Sequence, residues 1–325
     1  MTHLTNFSGD KKAWPVYMTI GNLSATVRGS STSHSIVLVA LMPVPSKLST
    51  RNATREAQKE RNRLVHQTVL RELLAPVIDS QKRKFNALCA DSFYRRCVLS
   101  VGGWIADYPE HCCMQGIKNN MCFWCECPRD ELGDLKRSPR RDHVLYESLS
   151  ESNTPHSVAE LDRMGVNPGP NVLWKLDCIV ADIPKSDLLY TMQLGMMGYI
   201  LKWLQHFLEE HSRFDQFNNI WLAVPPYLDM AAPSKPYAKI SQWSGKEYKT
   251  MSRYLLPVLR NALRGGTPSE RRKFDDAIEC TRALLEFYMF CQYDSHDPDI
   301  LQLMEDALRR FHRFQRILSS SRNGK

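Results

Sequence analysis

Between Thr54 and Val77 the sequence sets Val65, Val69, Leu73 and Val77 four residues apart, with Leu70 and Leu74 beside them. That spacing predicts a long helix with one apolar stripe against a core. Its surroundings narrow the fold further. Residues 14–20, WPVYMTI, are β-rich and end at Gly21-Asn22. Residues 35–42, SIVLVALM, form an apolar run closed by Pro43 and Pro45. After the helix, 95–107 read as another strand, RRCVLSVGGWIAD, with Asp107 at its C-terminal end. The predicted order is strand, strand, long helix, strand ending in an acid, an α/β arrangement of a mixed sheet with flanking helices.

The rest of the chain reads in blocks. Residues 128–171 are polar, rich in Arg, Asp, Ser and Pro, and are expected to form an exposed linker or insertion. Helix returns over 186–210, with apolar residues at 188, 189, 192, 196, 200, 204 and 207. Tyr190, Met192, Met196 and Met197 lie on or near that stripe and are expected in the core. A Pro-rich loop follows over 223–237. Three helices then close the chain, each with a legible start. SGKE begins one at Ser244, with Gly265-Gly266 to stop it. TPSE begins the next at Thr267, and DPDI the last at Asp297, with the stripe Ile300, Leu301, Met304, Leu308, Phe311 and Phe314. The expected domains are 1–127, an α/β core; 128–185, the insertion; and 186–325, a mainly helical region.

Charge bears on the partner. The formal net charge is +8, with basic residues gathered in RNATREAQKERNR, DSQKRK, DLKRSPRRDH and RRFHRFQR. Such a surface suits a polyanion such as nucleic acid, although any single run is more simply a solvated helix face. No apolar run approaches the roughly 20 residues of a membrane helix. The first residues, MTHLTNFSGDKKAWP, contain no apolar signal core, so secretion is not expected.

Ten cysteines in a cytosolic or nuclear chain are expected to be reduced, which favours metal ligands or buried thiols over disulfides. Four of them fall within 107–125, DYPEHCCMQGIKNNMCFWC. Cys122 and Cys125 form a C-x-x-C pair that a tight turn can aim at one Zn²⁺. Two further ligands would come from Cys112, Cys113, Cys127, His111 and His143, among which the sequence does not choose. The set carried forward is Cys113, Cys122, Cys125 and His143. The plain alternative is a pair of buried thiols; a redox role would need a thioredoxin-like context that is absent.

Two acids are candidates for catalysis. Carboxylates at the ends of adjacent strands can converge on a pair of Mg²⁺ ions, so Asp107 could serve phosphodiester chemistry or simply cap a turn. Glu247 sits three residues after Ser244. It completes a capping box, and a metal-binding acid on a helix would look the same.

Six collinear stretches resemble the Plavaka-type transposases of fungal DNA transposons, within the CACTA-like superfamily: THLTNFSGDKKAWPVYMTIGN (2–22), RRCVLSVGGWIADYPE (95–110), CFWCECPRDELGDL (122–135), DLLYTMQLG (187–195), SQWSGKEYKTMSRYLLPVL (241–259) and RALLEFYMFCQYDSH (282–296). The resemblance implies a DDE-type recombinase with an RNase H-like core and a nuclear location. In it, two strand-end acids and a third acid on a later helix hold Mg²⁺ or Mn²⁺ for DNA strand transfer. Asp107 would be the second acid and Glu247 the third, with the C-x-x-C, and Zn²⁺ on it, steadying the insertion.

Departures qualify that expectation. The family's Asp-Lys pair precedes the residue matching Thr2, and Met1 stands where the Lys would be, so the first acid, the first strand and the upstream DNA-binding region are expected to be missing. Tyr190-Thr191 replace a His-Gln pair, and Ile117 replaces a cysteine. Loss of one acid removes several kcal/mol of transition-state stabilisation, at tenfold in rate per 1.36 kcal/mol. The expectation is an incomplete, catalytically inactive transposase core, or a repurposed DNA-binding or scaffold protein.

Overall fold

The computed structural model describes residues 2–3, 12–46, 54–228, 230, 232–233, 235–240 and 244–319. Parts of the first and fifth resembling stretches, 4–11 and 241–243, lie outside these. The chain is a mixed α/β protein of two units, Met1–Lys185 and Ser186–Lys325.

In the first unit, β1 (Thr2–His3), β2 (Lys12–Thr19) and β3 (Ile36–Pro43) form an antiparallel sheet in that order, with α1 (Ala25–Gly29) in the β2–β3 connection. Among the described residues β1 pairs only with Lys12 and Ala13 of β2, so Pro15 falls on a stretch of β2 partnered on one side only, where proline is tolerated. The long helix α2 runs over Arg55–Arg83, six residues past the expected end, with Pro76 inside it. Its buried face comprises His66, Gln67, Leu70, Leu74 and Ser80, so the stripe is centred on polar as well as apolar residues.

The expected strand over 95–107 is divided. Tyr94–Cys97 (β5) pairs antiparallel with Phe85–Leu88 (β4), and Trp104–Ala106 (β6) pairs with Pro184–Ser186 (β7). Gly102 and Gly103 separate β5 from β6, and a Cβ at Gly103 would stand 2.9 Å from the Lys185 side chain, so the glycine leaves room for that side chain. Among the described residues, the strand ending at Asp107 is therefore joined to β7 and not to the β1–β3 sheet, and the expected mixed sheet is replaced by three small ones.

The polar segment is folded rather than a linker. After α3 (Tyr108–Gln115), α4 (His143–Ser152) and α5 (Pro155–Arg163) bury Tyr146 and Leu161, which pack with Cys112, Ile117, Phe123, Val166 and Trp174. A second cluster joins Met42, Leu70, Leu74, Met114, Leu173 and Ile183. A few large apolar residues suffice for these small cores, which is why average composition hid them.

The second unit is helical. Leu189–Met196 winds as a π-helix and continues as α6 (Met197–Glu210), followed by α7 (Phe214–Leu222). Met192 and Met197 are buried as expected, whereas Tyr190 is 55% exposed. Two positions from Met192, Tyr190 lies about 200° around a helix from it, on the side away from the buried stripe. The helix expected from Ser244 to Gly265 is broken into α8 (Gly245–Ser252) and α9 (Leu255–Ala262). Pro257 cannot donate to the preceding turn, so the first helix ends before it and the second carries it in its first turn. The starts at Thr267 and Asp297 are observed as caps of α10 (Pro268–Phe290) and α11 (Pro298–Phe314), before a short α12 (Arg316–Ser319). On α11, Phe311 and Ala307 are buried and Leu301 is exposed. No described helix is long and apolar enough to cross a membrane.

Candidate functional site

Asp107 is the N-cap of α3. Its Oδ1 accepts the backbone N–H of Glu110 at 2.9 Å, satisfying one of the donors a helix start leaves open. Pro109 in the first turn loses nothing by lacking its N–H. Glu110, one turn further on, does not return to the Asp107 backbone as a capping box would. Its carboxylate accepts Trp104 Nε1–H at 3.3 Å. Burial pushes the Glu110 carboxyl above the ordinary range, against the pull of the Trp104 bond, and the Asp107 charge pushes it further. The exit of β6 thus carries two neighbouring carboxylates, with His66 near enough to bias Glu110 and Trp14 ringed against His66 at 5.8 Å. Sequence reasoning missed Glu110. The signal was the D-x-x-E spacing, which puts both acids on one side of a helix start.

On the neighbouring side of α3, His111 is buried, with Nε2 3.2 Å from the Lys185 carbonyl, and burial pushes its imidazole down. Chemically, the Asp107–Glu110 pair offers hard oxygen donors of the kind Mg²⁺ and Mn²⁺ accept from one or two carboxylates plus a phosphate.

Glu247 belongs to the other unit. Its Oε2 accepts the Ser244 N–H at 2.6 Å, while Ser244 Oγ accepts the Glu247 N–H at 3.3 Å, a complete capping box. These bonds hold the exposed carboxyl below the usual carboxylate range. The same device stands at Thr267 and Glu270, where no metal role was expected. Asp107 and Glu247 thus fall in different units, each acid explained locally by a cap.

The cysteine loop behaves differently. Burial pushes the Cys125 thiol up, with contributions from Cys122 and Cys127 beside it. Cys112 is also pushed up, first by burial and slightly by Cys122. Cys113 points to other company: burial raises it to about 11, Glu110 and Cys112 add to this, and Arg63 opposes it. Among the described residues no group of three or more His, Cys, Asp or Glu side chains is placed to hold a metal ion. The structure brings Cys122 to Cys125 but does not bring Cys113 or His143 to them. Because no three of these side chains are placed to share an ion among the described residues, the set as placed does not fit the four-ligand site of a structural zinc.

What steadies the loop is Arg141, which sequence reasoning also missed. Only 4% exposed, it donates from Nε to the Cys122 carbonyl at 2.5 Å and from one terminal nitrogen to Met164 O at 2.9 Å and Tyr146 Oη at 3.3 Å. Tyr146 in turn donates to Glu126 at 2.7 Å. Beside the loop, Tyr108, Met121, Phe123, Trp124 and Arg129 line an open pocket of about 510 Å³. Tyr108 donates to Met121 O at 2.7 Å, and its phenol is pushed up to about 12, chiefly by burial.

Many cations in the basic runs are paired: Arg63 with Glu60, Lys136 with Glu131, Arg140 with Asp182, Arg309 with Glu305 and Asp306, Arg310 with Glu279 and Glu286.

Comparison with known proteins gives a family match. The family model described as Plavaka transposase matches residues 1–204. No curated protein and no solved structure matches the chain. The matched span contains Asp107, Glu110 and the cysteine loop, and it ends before Glu247.

Proposed function

Because this chain belongs to the Plavaka transposase family, we propose that it is a transposon-derived DNA-binding protein whose ancestral chemistry was DDE-type strand cleavage and transfer, and that it now holds DNA without cutting it. The DNA partner and a nuclear location follow from that descent and from the +8 charge. The antiparallel β1–β3 sheet followed by the long α2 supports descent from an RNase H-like core, while among the described residues the strand that ends at Asp107 pairs outside that sheet.

The observation that carries the non-cutting reading is the engagement of Glu247. The proposed third acid is spent on a capping box, and within the first unit no third carboxylate joins Asp107 and Glu110 among the described residues. Asp107 and Glu110 are the residues that would hold Mg²⁺ or Mn²⁺. Such an ion, when bound, would activate the attacking oxygen and stabilise the leaving one. What the chain itself supplies is narrower: Trp104 orients Glu110, and the first turn of α3 orients Asp107.

The test is a nicking and strand-transfer assay on terminal-repeat duplex with Mg²⁺ or Mn²⁺. Product at the level of an Asp107→Asn control is expected. Asn preserves the cap, so product above that control overturns the reading.

A further inference from the structure

The first unit also carries an exposed basic feature at the end of α2. α2 ends in Lys82 and Arg83, Lys84 caps it, and the chain turns straight into the β4–β5 hairpin. Both roots of that hairpin are fastened to one residue. Lys84 N–H donates to the Ser80 carbonyl at 2.8 Å, and Leu99 N–H donates to Ser80 Oγ at 2.9 Å, with Ser80 itself 8% exposed. The hairpin is therefore a braced arm. At its tip Asp91 Oδ1 accepts the Phe93 N–H at 3.3 Å and its carboxylate forks onto Arg95.

The register decides what each face shows. Asn86 lies opposite Arg96, and Leu88 opposite Tyr94, so these four share one face, while Phe85, Ala87, Arg95 and Cys97 share the other. Arg95 is neutralised by Asp91. Lys82, Arg83, Lys84 and Arg96 are exposed and take part in none of the ion pairs among the described residues. Tyr94 is 73% exposed and Phe93 68%. An isolated hairpin gains nothing from baring two aromatic rings beside four uncompensated cations unless something planar and anionic meets them.

We propose that this hairpin is a duplex-DNA-binding arm. Lys82, Arg83 and Lys84 engage phosphates at its root. Asn86 and Arg96, side by side, face base edges, the side-chain types that bond adenine and guanine in a major groove wide enough for a two-stranded ribbon. Tyr94 and Phe93, at the tip, make apolar contact with thymine methyl groups in the same groove. The inference rests on DNA being the partner, as argued above, and adds the place and manner of contact.

The experiment uses the full chain, without metal ion, and fluorescence anisotropy with a labelled mixed-sequence duplex of about two helical turns across a salt series. Replacing Lys82, Arg83 and Lys84 together by Gln should lower the slope of log affinity against log salt by about 2.7, near 0.9 for each phosphate contact. A Tyr94→Ala, Arg96→Gln variant should lose about tenfold in affinity. All these positions are exposed, and unchanged thermal melts keep the comparison clean. Wild-type affinity in both variants sinks the arm while leaving DNA as the partner. No wild-type binding to duplex at any salt removes that partner as well, and capture by phosphatidylserine vesicles in its place would reassign the arm to a lipid surface.

Discussion

The two units are held together by different means. The second is packed around one continuous apolar core, in which Phe207, Phe217, Trp221, Leu255, Phe274 and Tyr288 from successive helices are all buried. The first divides its apolar residues between two smaller clusters and joins distant segments with buried polar side chains. Gln67 on α2 donates to Met114 O at 3.3 Å and accepts Val172 N–H at 2.9 Å. Asn171 donates to the same Met114 carbonyl at 2.8 Å. Arg141 bonds two further carbonyls. Among the described residues of the second unit, side-chain bonds of this kind include Gln193 to the Tyr288 hydroxyl at 2.9 Å, Tyr237 to Leu201 O at 3.2 Å and Trp221 to Lys235 O at 3.2 Å. A helical unit satisfies its backbone internally and needs only apolar burial to assemble. A unit of short strands and loops leaves buried backbone groups that side chains must satisfy.

The sharpest way to break this contrast is to remove apolar volume where it is said to dominate. Phe207, 1% exposed, packs edge-to-face on Phe274 with centroids 6.1 Å apart. Phe207→Ala should cost about 3–5 kcal/mol, read as lost hydrogen-exchange protection in α6 and α10. A loss below about 1 kcal/mol would mean that this core is not what holds the helices.

The next effect concerns the staples. Gln67→Leu keeps an apolar stem but orphans Val172 N–H, and should cost about 1–3 kcal/mol. Asn171→Ala should cost a similar amount. Because both side chains donate to one carbonyl, the double variant should fall short of the sum by at least about 0.5 kcal/mol in urea denaturation. Strict additivity would show that Met114 O is not a shared anchor.

The same contrast explains what could be read in advance. Ser244, Thr267 and Asp297 announce helix starts because capping chemistry is settled within four residues, and all three appear as caps. The four-residue repeat on α2 was legible but off-centre: Val65, Val69, Leu73 and Val77 are half-buried, and their neighbours Leu70 and Leu74 are the buried ones. Strand pairing is settled at a distance: nothing near Trp104 says that its partner lies at Pro184, some eighty residues on. Buried polar staples are hidden more deeply still. Gln67, Arg141 and Asn171 look like surface residues in any hydropathy pattern, and only the tertiary neighbourhood shows that they are inside. At the candidate site, Asp107 was legible as a strand-end acid. Glu110 was not, because its distinction comes from burial beside Trp104.

The smallest effect bears most directly on function, because it separates a cap from a catalytic acid in the unit where caps were easiest to read. Glu247 accepts the Ser244 N–H, and its carboxyl is held below the usual range by the backbone bond first and the Ser244 side chain second. A depressed acid stabilises the fold above its ordinary pKa, near 4.5, and that contribution is lost as pH falls through the lower folded value. Glu247→Gln keeps an acceptor for the same N–H, so stability at neutral pH should change by only a few tenths of a kcal/mol, while the loss on acidification at this position disappears. Glu247→Ala should cost about 1 kcal/mol. Glu270→Gln and Glu270→Ala, in the twin capping box at Thr267, should behave in parallel. A Glu247→Gln variant that matches Glu270→Gln in stability and pH response leaves Glu247 a cap. If it also abolished a metal-dependent nicking activity that Glu270→Gln preserved, the carboxylate would be doing chemistry that an amide cannot, and the capping account of the second unit would be incomplete.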